Sequence, residues 1–493
     1  MNHSHGIDED SGCTEPSGAN PPVDLEESDE NIVHEFTRDD RFRFLAQHFR
    51  ESIEALRETH DELLPAASEL DSLSKLGDTT LAAVKRLSDK DRDLFWSAFE
   101  DVPEDGITAQ ELVDRLWDAV QDTDWGPALA FNFTNRMFRP RRQPIFHNAI
   151  LISVVAAFES HLAKIAEEYY RSAPEALHKV PRESAKEFSL RELQALGSIE
   201  DAVEMAIEQR VTALMFGSLT DWKKFFADRL NLDLSGLSSD WEAMQETFER
   251  RHCIVHSEAL ASRRYIRSYP RVEYHQPLSA DSDYVHQAME NLELTGILLL
   301  MSVWSKFAVE LQEVVNAMEA IGFAALKEGR WQFSLQIYER WQELPLSGAE
   351  KHMAKVNLWI ARKNLFGIAS ITEDVEAWDV SGSSEIYAFA KLCLLEQLDG
   401  AFELLPSMVE HDHIGGQELT TWPLLAPLRD DERIHRFSDV MRHYLSEETD
   451  LAADKVTAAS EFHAATSQTD EEESGYEQVQ AVELSDFEGE PST

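Results

Sequence analysis

The sequence predicts an all-α fold. Apolar residues recur at helical spacing: Phe42, Leu45, Phe49, Ile53 and Leu56 form one stripe, and Val154, Phe158, Leu162 and Ile165 another. Alternation of apolar and polar residues, the mark of a half-buried strand, is nowhere convincing. Breakers such as Pro103 and Asp105-Gly106 fall between periodic segments rather than inside them.

At 493 residues the chain has room for about three domains, and its 43% hydrophobic content is ordinary for a folded protein. The formal charge is −47, from 92 acidic and 45 basic residues. Such a surface repels free nucleic acid unless a patch is locally inverted. Most of the basic residues are arginine, and lysine-poor acidity also suits a high-salt cytoplasm. Cys13, Cys253 and Cys393 form neither a disulfide framework nor a zinc spacing, which points to a reducing interior. The N-terminus is acidic and polar, unlike a signal peptide. The apolar run from Gly296 to Trp304 is too short to span a bilayer. The expectation is a soluble cytoplasmic protein without a membrane partner.

Residues 1–33 are rich in Ser, Gly, Pro, Asp and Glu, so a disordered acidic tail is expected there. Residues 446–493, with Asp470-Glu471-Glu472-Glu473, read the same way. Residues 34–135 carry the stripe from Phe42 and a second through Leu112, Leu116 and Val120. They are expected to form a small N-terminal helical domain without a chemical motif. Residues 136–312 hold an apolar helix over about 145–170, helical stretches over 198–216 and from about 221, a helix over about 239–256, and a long apolar helix over about 283–312. Ser239 with Glu242 resembles a capping box. In residues 313–445 a helix, a Gly329-Arg330-Trp331 turn and a second helix with Tyr338 resemble a tetratricopeptide-like hairpin. An α-solenoid-like module that binds a protein partner is expected, with a plain helical bundle as the alternative.

Chemistry concentrates at Arg250-Arg251-His252-Cys253-Ile254-Val255-His256. Trp241, Met244, Phe248 and Val255 set a stripe that calls for an apolar residue at 251, where the chain has arginine. An arginine there is costly unless it is paired, Glu159 being one acidic partner on offer, or faces a wet cleft. Arg251 and His256 lie about 140° apart on a straight helix. They converge only if the helix ends there or a second copy supplies half of the cleft. His252 and His256 share a face, but as zinc ligands they lack a recognisable third. Cys253 reads as a packed core thiol. Arg250, Arg251, Arg263, Arg264, Arg267 and Arg271 stand against a single acid, Glu258, with Tyr265 and Tyr269 interleaved. This patch suits a phosphodiester ligand, or else pairs with the acidic surface elsewhere. A second basic island, including Arg141 and Arg142, precedes the apolar helix. There is no phosphate-cradling glycine loop, no Gly-x-Ser-x-Gly and no Cys-x-x-Cys.

Residues 136–312 resemble a HEPN domain. The resemblance rests on Ala157-Phe158-Glu159 in an apolar helix, on Arg250 to Ser257 ending a later helix, and on the closing apolar helix. It implies a helical bundle, flanked here by the N-terminal domain and the C-terminal module, that dimerises through its motif helices. Active members are metal-independent endoribonucleases, often in toxin–antitoxin or anti-phage systems. Carried over, Arg251 and His256 fall on the catalytic pair and His252 on the polar position after the arginine. Ser257 stands where many relatives have Asn, and Ala259 where many have Gly.

The chemistry expected of that resemblance is RNA cleavage, with no cofactor or metal. His256 acts as acid or base, since an unperturbed imidazole titrates near about 6.5. Arg251 stabilises the charged transition state, and His252 orients phosphate. Arg250, Arg263, Arg264, Arg267, Arg141 and Arg142 are expected to bind the RNA, and Glu159 to support. The expected partners are RNA, a second copy of the chain, and a protein such as an antitoxin on the C-terminal module. A non-catalytic HEPN-like scaffold is the alternative.

Overall fold

The protein is described here from a computed structural model covering residues 36–71, 82–99, 109–137, 141–178, 190–278 and 280–443. The two acidic tails expected to be disordered lie outside the described residues. The fold is all-α: among the described residues the β-pairing consists of one isolated bridge, between Leu260 and Pro277.

Three long helices build the centre: α1 (Arg38–Asp71), α5 (Arg142–Ser172) and α11 (Ser282–Phe307). Their stripes become the core. Phe42, Phe49 and Ile53 of α1 and Val154, Phe158, Leu162 and Ile165 of α5 are buried together, and α11 is buried on all sides from Asn291 to Met301. By length and composition α5 is apolar enough to cross a membrane, yet 56% of its most apolar window is buried inside the protein. Close packing explains Gly296 on α11, where a Cβ would come within 2.5 Å of the Phe49 ring. That ring stacks on His161 of α5 at 3.9 Å, and His161 reaches the Gly296 carbonyl through Nε2 at 3.2 Å.

The helix expected over 283–312 stops at Phe307. Asp39 explains the break. Its buried carboxylate accepts hydrogen bonds from the Trp304 indole at 2.7 Å and from the backbone N–H groups of Val309 and Glu310 at 3.1 Å each. Asp39 thereby satisfies backbone donors in the short connection that follows α11. Thus α1 belongs to the central bundle. The remainder of the expected N-terminal domain, α2 (Asp89–Ser97), α3 (Ala109–Val120) and α4 (Gly126–Met137), has a small core of its own around Phe95, Leu116 and Val120.

Between α5 and α11 the chain runs through α6 (Leu190–Leu196), α7 (Ile199–Met215), α8 (Leu219–Leu230), α9 (Trp241–His256) and α10 (Arg263–Ser268). Beyond α11, α12 (Leu311–Lys327) and α13 (Trp331–Trp341) form a hairpin across Gly329, whose φ of +72° suits the tight turn. Gly322 of α12 lies against Tyr338 of α13, and the Trp341 indole donates to the Val315 carbonyl at 3.0 Å. α14 (Gly348–Phe366), α15 (Glu385–Leu394) and α16 (Leu398–Glu410) pack in chain order behind it.

Candidate functional site

Helix α9 carries the arginine–histidine motif, and α11 holds its start. Asn291, nearly buried on α11, accepts from the Ser238 and Ser239 hydroxyls at 2.9 and 2.8 Å and donates to the Asp240 carbonyl at 2.8 Å. With Ser239 engaged there, Asp240 rather than Ser239 caps the helix, accepting from the Ala243 N–H at 2.9 Å. Four residues beyond Met244, Phe248 meets Phe158 of α5 edge to face at 6.2 Å. Next to that contact Arg251 Nη2 reaches Glu159 Oε2 at 2.5 Å.

The pair does not lie in a sealed interior. Arg251 and Glu159 keep 29% and 24% of their side-chain surface exposed. Both line a cleft of about 710 Å³ together with Ser218, Glu249, His252 and Arg264. Burial raises the Glu159 pKa above the ordinary carboxylate value, against the pull of Arg251. His252 is shifted below the ordinary histidine value by burial first, then by Arg264 and His256. His256 lies exposed beside the cleft, its ring centroid 4.7 Å from that of His252.

α9 remains helical through His256, so within one chain Arg251 and His256 stay on different faces. The exit is tight. Ser257 and Ala259 both donate to the Cys253 carbonyl, at 2.9 and 3.1 Å, while Glu258 and Ala259 adopt φ of +54° and +58°. Ala259 thus sits in a left-handed conformation that favours glycine. Cys253 is buried with Ala261, Tyr265 and Leu278.

The expected RNA-binding arginines divide. Arg264 lies in the cleft but is joined to Glu249 at 2.6 Å. Arg263 sits over the Tyr274 ring at 5.3 Å, and Arg267 is exposed on α10. Arg250 turns inward: it bonds Glu246 at 2.9 Å and lies 4.2 Å above the Tyr284 ring. Glu246 also accepts from the Tyr265 and Tyr284 hydroxyls, and burial with this carboxylate raises both phenols well above their ordinary value. Arg250 is therefore a structural cation rather than a free ligand for phosphate. Arg142 is likewise committed, to the Leu70 carbonyl at 3.0 Å and Asp71 at 3.4 Å where α1 ends. Arg141 is exposed at the N-cap of α5. Arg142 lies seventeen positions before Glu159 on the same helix, about 25 Å along the axis, so these two arginines do not join the cleft.

Two features of the site were not anticipated from the motif. Phe216, 89% exposed, lies on the cleft wall, and Val255 is half exposed on the motif helix. Among the described residues, the grouping of potential metal ligands lies away from the cleft, at His60, Asp61 and His286. Comparison with protein-family models, curated proteins and solved structures finds no match.

Proposed function

We propose that this protein is a metal-independent endoribonuclease of the HEPN type that works as a homodimer in the cytoplasm. One observation carries the reading: Arg251 and His252 line one solvent-open cleft, and His256 stands one helical turn from His252 beside it. In this reading His256 transfers the proton, Arg251 clamps the charged phosphorane and His252 orients phosphate. Arg251 and His256 diverge on α9, so a second copy across a two-fold axis completes each half-site. The exposed Phe216 and Val255 beside the motif provide apolar surface for that contact. A role in toxin–antitoxin regulation or anti-phage defence fits this activity, with residues 313–445 docking a protein partner.

The test incubates the purified full-length chain with total RNA in chelator and maps the cut ends. Cleavage is expected, falling by roughly 10²- to 10⁴-fold in Arg251→Ala and in His256→Ala. Absence of cutting by the unaltered chain, or undiminished cutting by both variants, overturns the reading. A second reading, a non-catalytic HEPN-like scaffold, is favoured by the carboxylates of Glu159 and Glu249, which occupy both cleft arginines. RNA retained without being cut would select it.

A further inference from the structure

A second polar cluster lies at the seam of α1, α5 and α11, and none of its residues lines the Arg251 cleft. His60 is fully buried on α1, and its Nδ1 lies 2.9 Å from Asp61 Oδ1. His286 of α11 approaches the same oxygen through Nε2 at 3.0 Å. One ligand atom from each of the three residues falls within 4.8 Å of the others. Behind them His147 of α5 is buried, its ring centroid 5.3 Å from that of His60.

The hydrogen bonds determine where the imidazole lone pairs point. His286 Nδ1 lies 2.9 Å from the Ser282 carbonyl, which can only accept, so that nitrogen carries the proton. In the neutral ring Nε2 then presents a lone pair to a carboxylate oxygen. Two acceptors then face each other at 3.0 Å, a conflict that either a second proton on the imidazole or a metal cation between them resolves. His147 is set in the same way: its Nδ1 donates to the Ala280 carbonyl at 3.2 Å, leaving a lone pair on Nε2. That Nε2 is buried without a partner, and so is Nε2 of His60. Two orphaned buried nitrogens on neighbouring rings are costly unless one donates to the other.

We propose that His60, Asp61 and His286 form a divalent transition-metal site of the zinc class, with His147 as its outer support. A metal on His60 Nδ1 forces that ring's proton onto Nε2. The ring can then donate to the His147 lone pair, and a slight turn of the two rings joins both orphans in one hydrogen bond. A metal-bound imidazole donating its other N–H to a fixed acceptor is the usual outer-shell arrangement. Two imidazoles and one carboxylate suit zinc, whose tetrahedral ligand atoms lie about 3.3 Å apart. The spacings to Asp61 open by a few tenths of an ångström to reach this. Asp61 and His286 keep 55% and 38% of their side-chain surface exposed, so the fourth position is open to solvent. Bound metal ties α1 to α11, and its principal effect is to hold these helices together.

The test strips the full-length chain with chelator and titrates it with Co²⁺, then Zn²⁺, following visible absorption, stoichiometry and melting temperature. One Co²⁺ per chain is expected, displaced by Zn²⁺, with a higher melting temperature in zinc than in chelator. Asp61→Asn and His286→Gln are each expected to weaken binding at least tenfold. Both positions are partly exposed, which leaves the helices intact, and circular dichroism in chelator verifies this. His147→Phe, which removes only the outer acceptor, is expected to weaken binding less than either ligand variant. Failure of the unaltered chain to bind, or binding equally tight in His286→Gln, overturns the proposal. RNA cleavage is not a readout, so the result is independent of the nuclease reading.

Discussion

Arg251 on α9 and Glu159 on α5 form an ion pair at the wall of an open cleft, 92 positions apart in the chain. The adjoining Phe248–Phe158 contact holds the two helices in register, so the guanidinium is aimed by its carboxylate partner rather than left to wander. An arginine displaced into an apolar stripe is tolerated here because it is both paired and wet.

Removing the carboxylate should separate stability from ligand binding. Glu159→Gln is expected to destabilise the fold by only about 1 kcal/mol, because the pair is partly solvated. It should also raise affinity for RNA or a simple polyanion several-fold, since a negative charge leaves the cleft. Urea unfolding and fluorescence-polarisation titration measure the two effects. Weaker anion binding in Glu159→Gln would mean that the aiming of Arg251 by Glu159 outweighs the negative charge it adds to the cleft.

His161 should make the bundle acid-labile. Burial, opposed by the bond to the Gly296 carbonyl, lowers its pKa to about 3. The unfolded chain therefore binds a proton below about 6.5 that the folded chain refuses until about pH 3. Stability is complete above the higher value and falls with pH below it, by ~1.4 kcal/mol per unit from this group. His147, lowered chiefly by burial, acts in the same direction. Urea melts between pH 7 and pH 4.5 should show the loss. His161→Gln, though less stable at pH 7, should show a shallower slope.

Glu293 should be the most sensitive carboxylate of α11. It is 2% exposed and accepts from Arg57 at 2.9 Å and from Arg330 at 2.6 and 3.1 Å. Neutralising it removes the buried carboxylate that two arginines share and leaves Arg57 to Glu54 and Arg330 to Glu290, both more exposed, so Glu293→Gln should cost about 3 kcal/mol. Glu290, which shares Arg330 from a more exposed position, should cost less than about 1 kcal/mol on the same change. Equal losses in parallel denaturant melts would show that burial does not set the difference.

Periodicity was the legible part of the sequence. The stripes of α1 and α5 marked buried faces because an apolar side chain needs only the right spacing to reach a core. Arg251 was legible for the same reason, as a charge in an apolar register with Glu159 on offer. Charged residues elsewhere carried no address. Arg250, one position from Arg251, points inward to Glu246 and Tyr284, and Arg142 closes α1 through Asp71; neither pairing is visible in local composition. Ser239 read as the cap, but Asn291, some 50 positions away, engages its hydroxyl and the capping falls to Asp240. The His60–Asp61–His286 cluster had no signal at all, because 225 positions separate the facing atoms of Asp61 and His286.

The clasp of Asp39 on the Trp304 indole spans 265 positions. At translation rates of about 5–20 residues per second, roughly 13–53 s pass on the ribosome between the two partners. Through the later part of that interval the greasy side of the first helix is seated against α5 alone, and the part that meets α11, with Phe42 on Trp304 and Phe49 against Gly296, stays open. Nascent chains interrupted before Trp304 should therefore be far more prone to chaperone capture and aggregation than those arrested a few dozen residues past it.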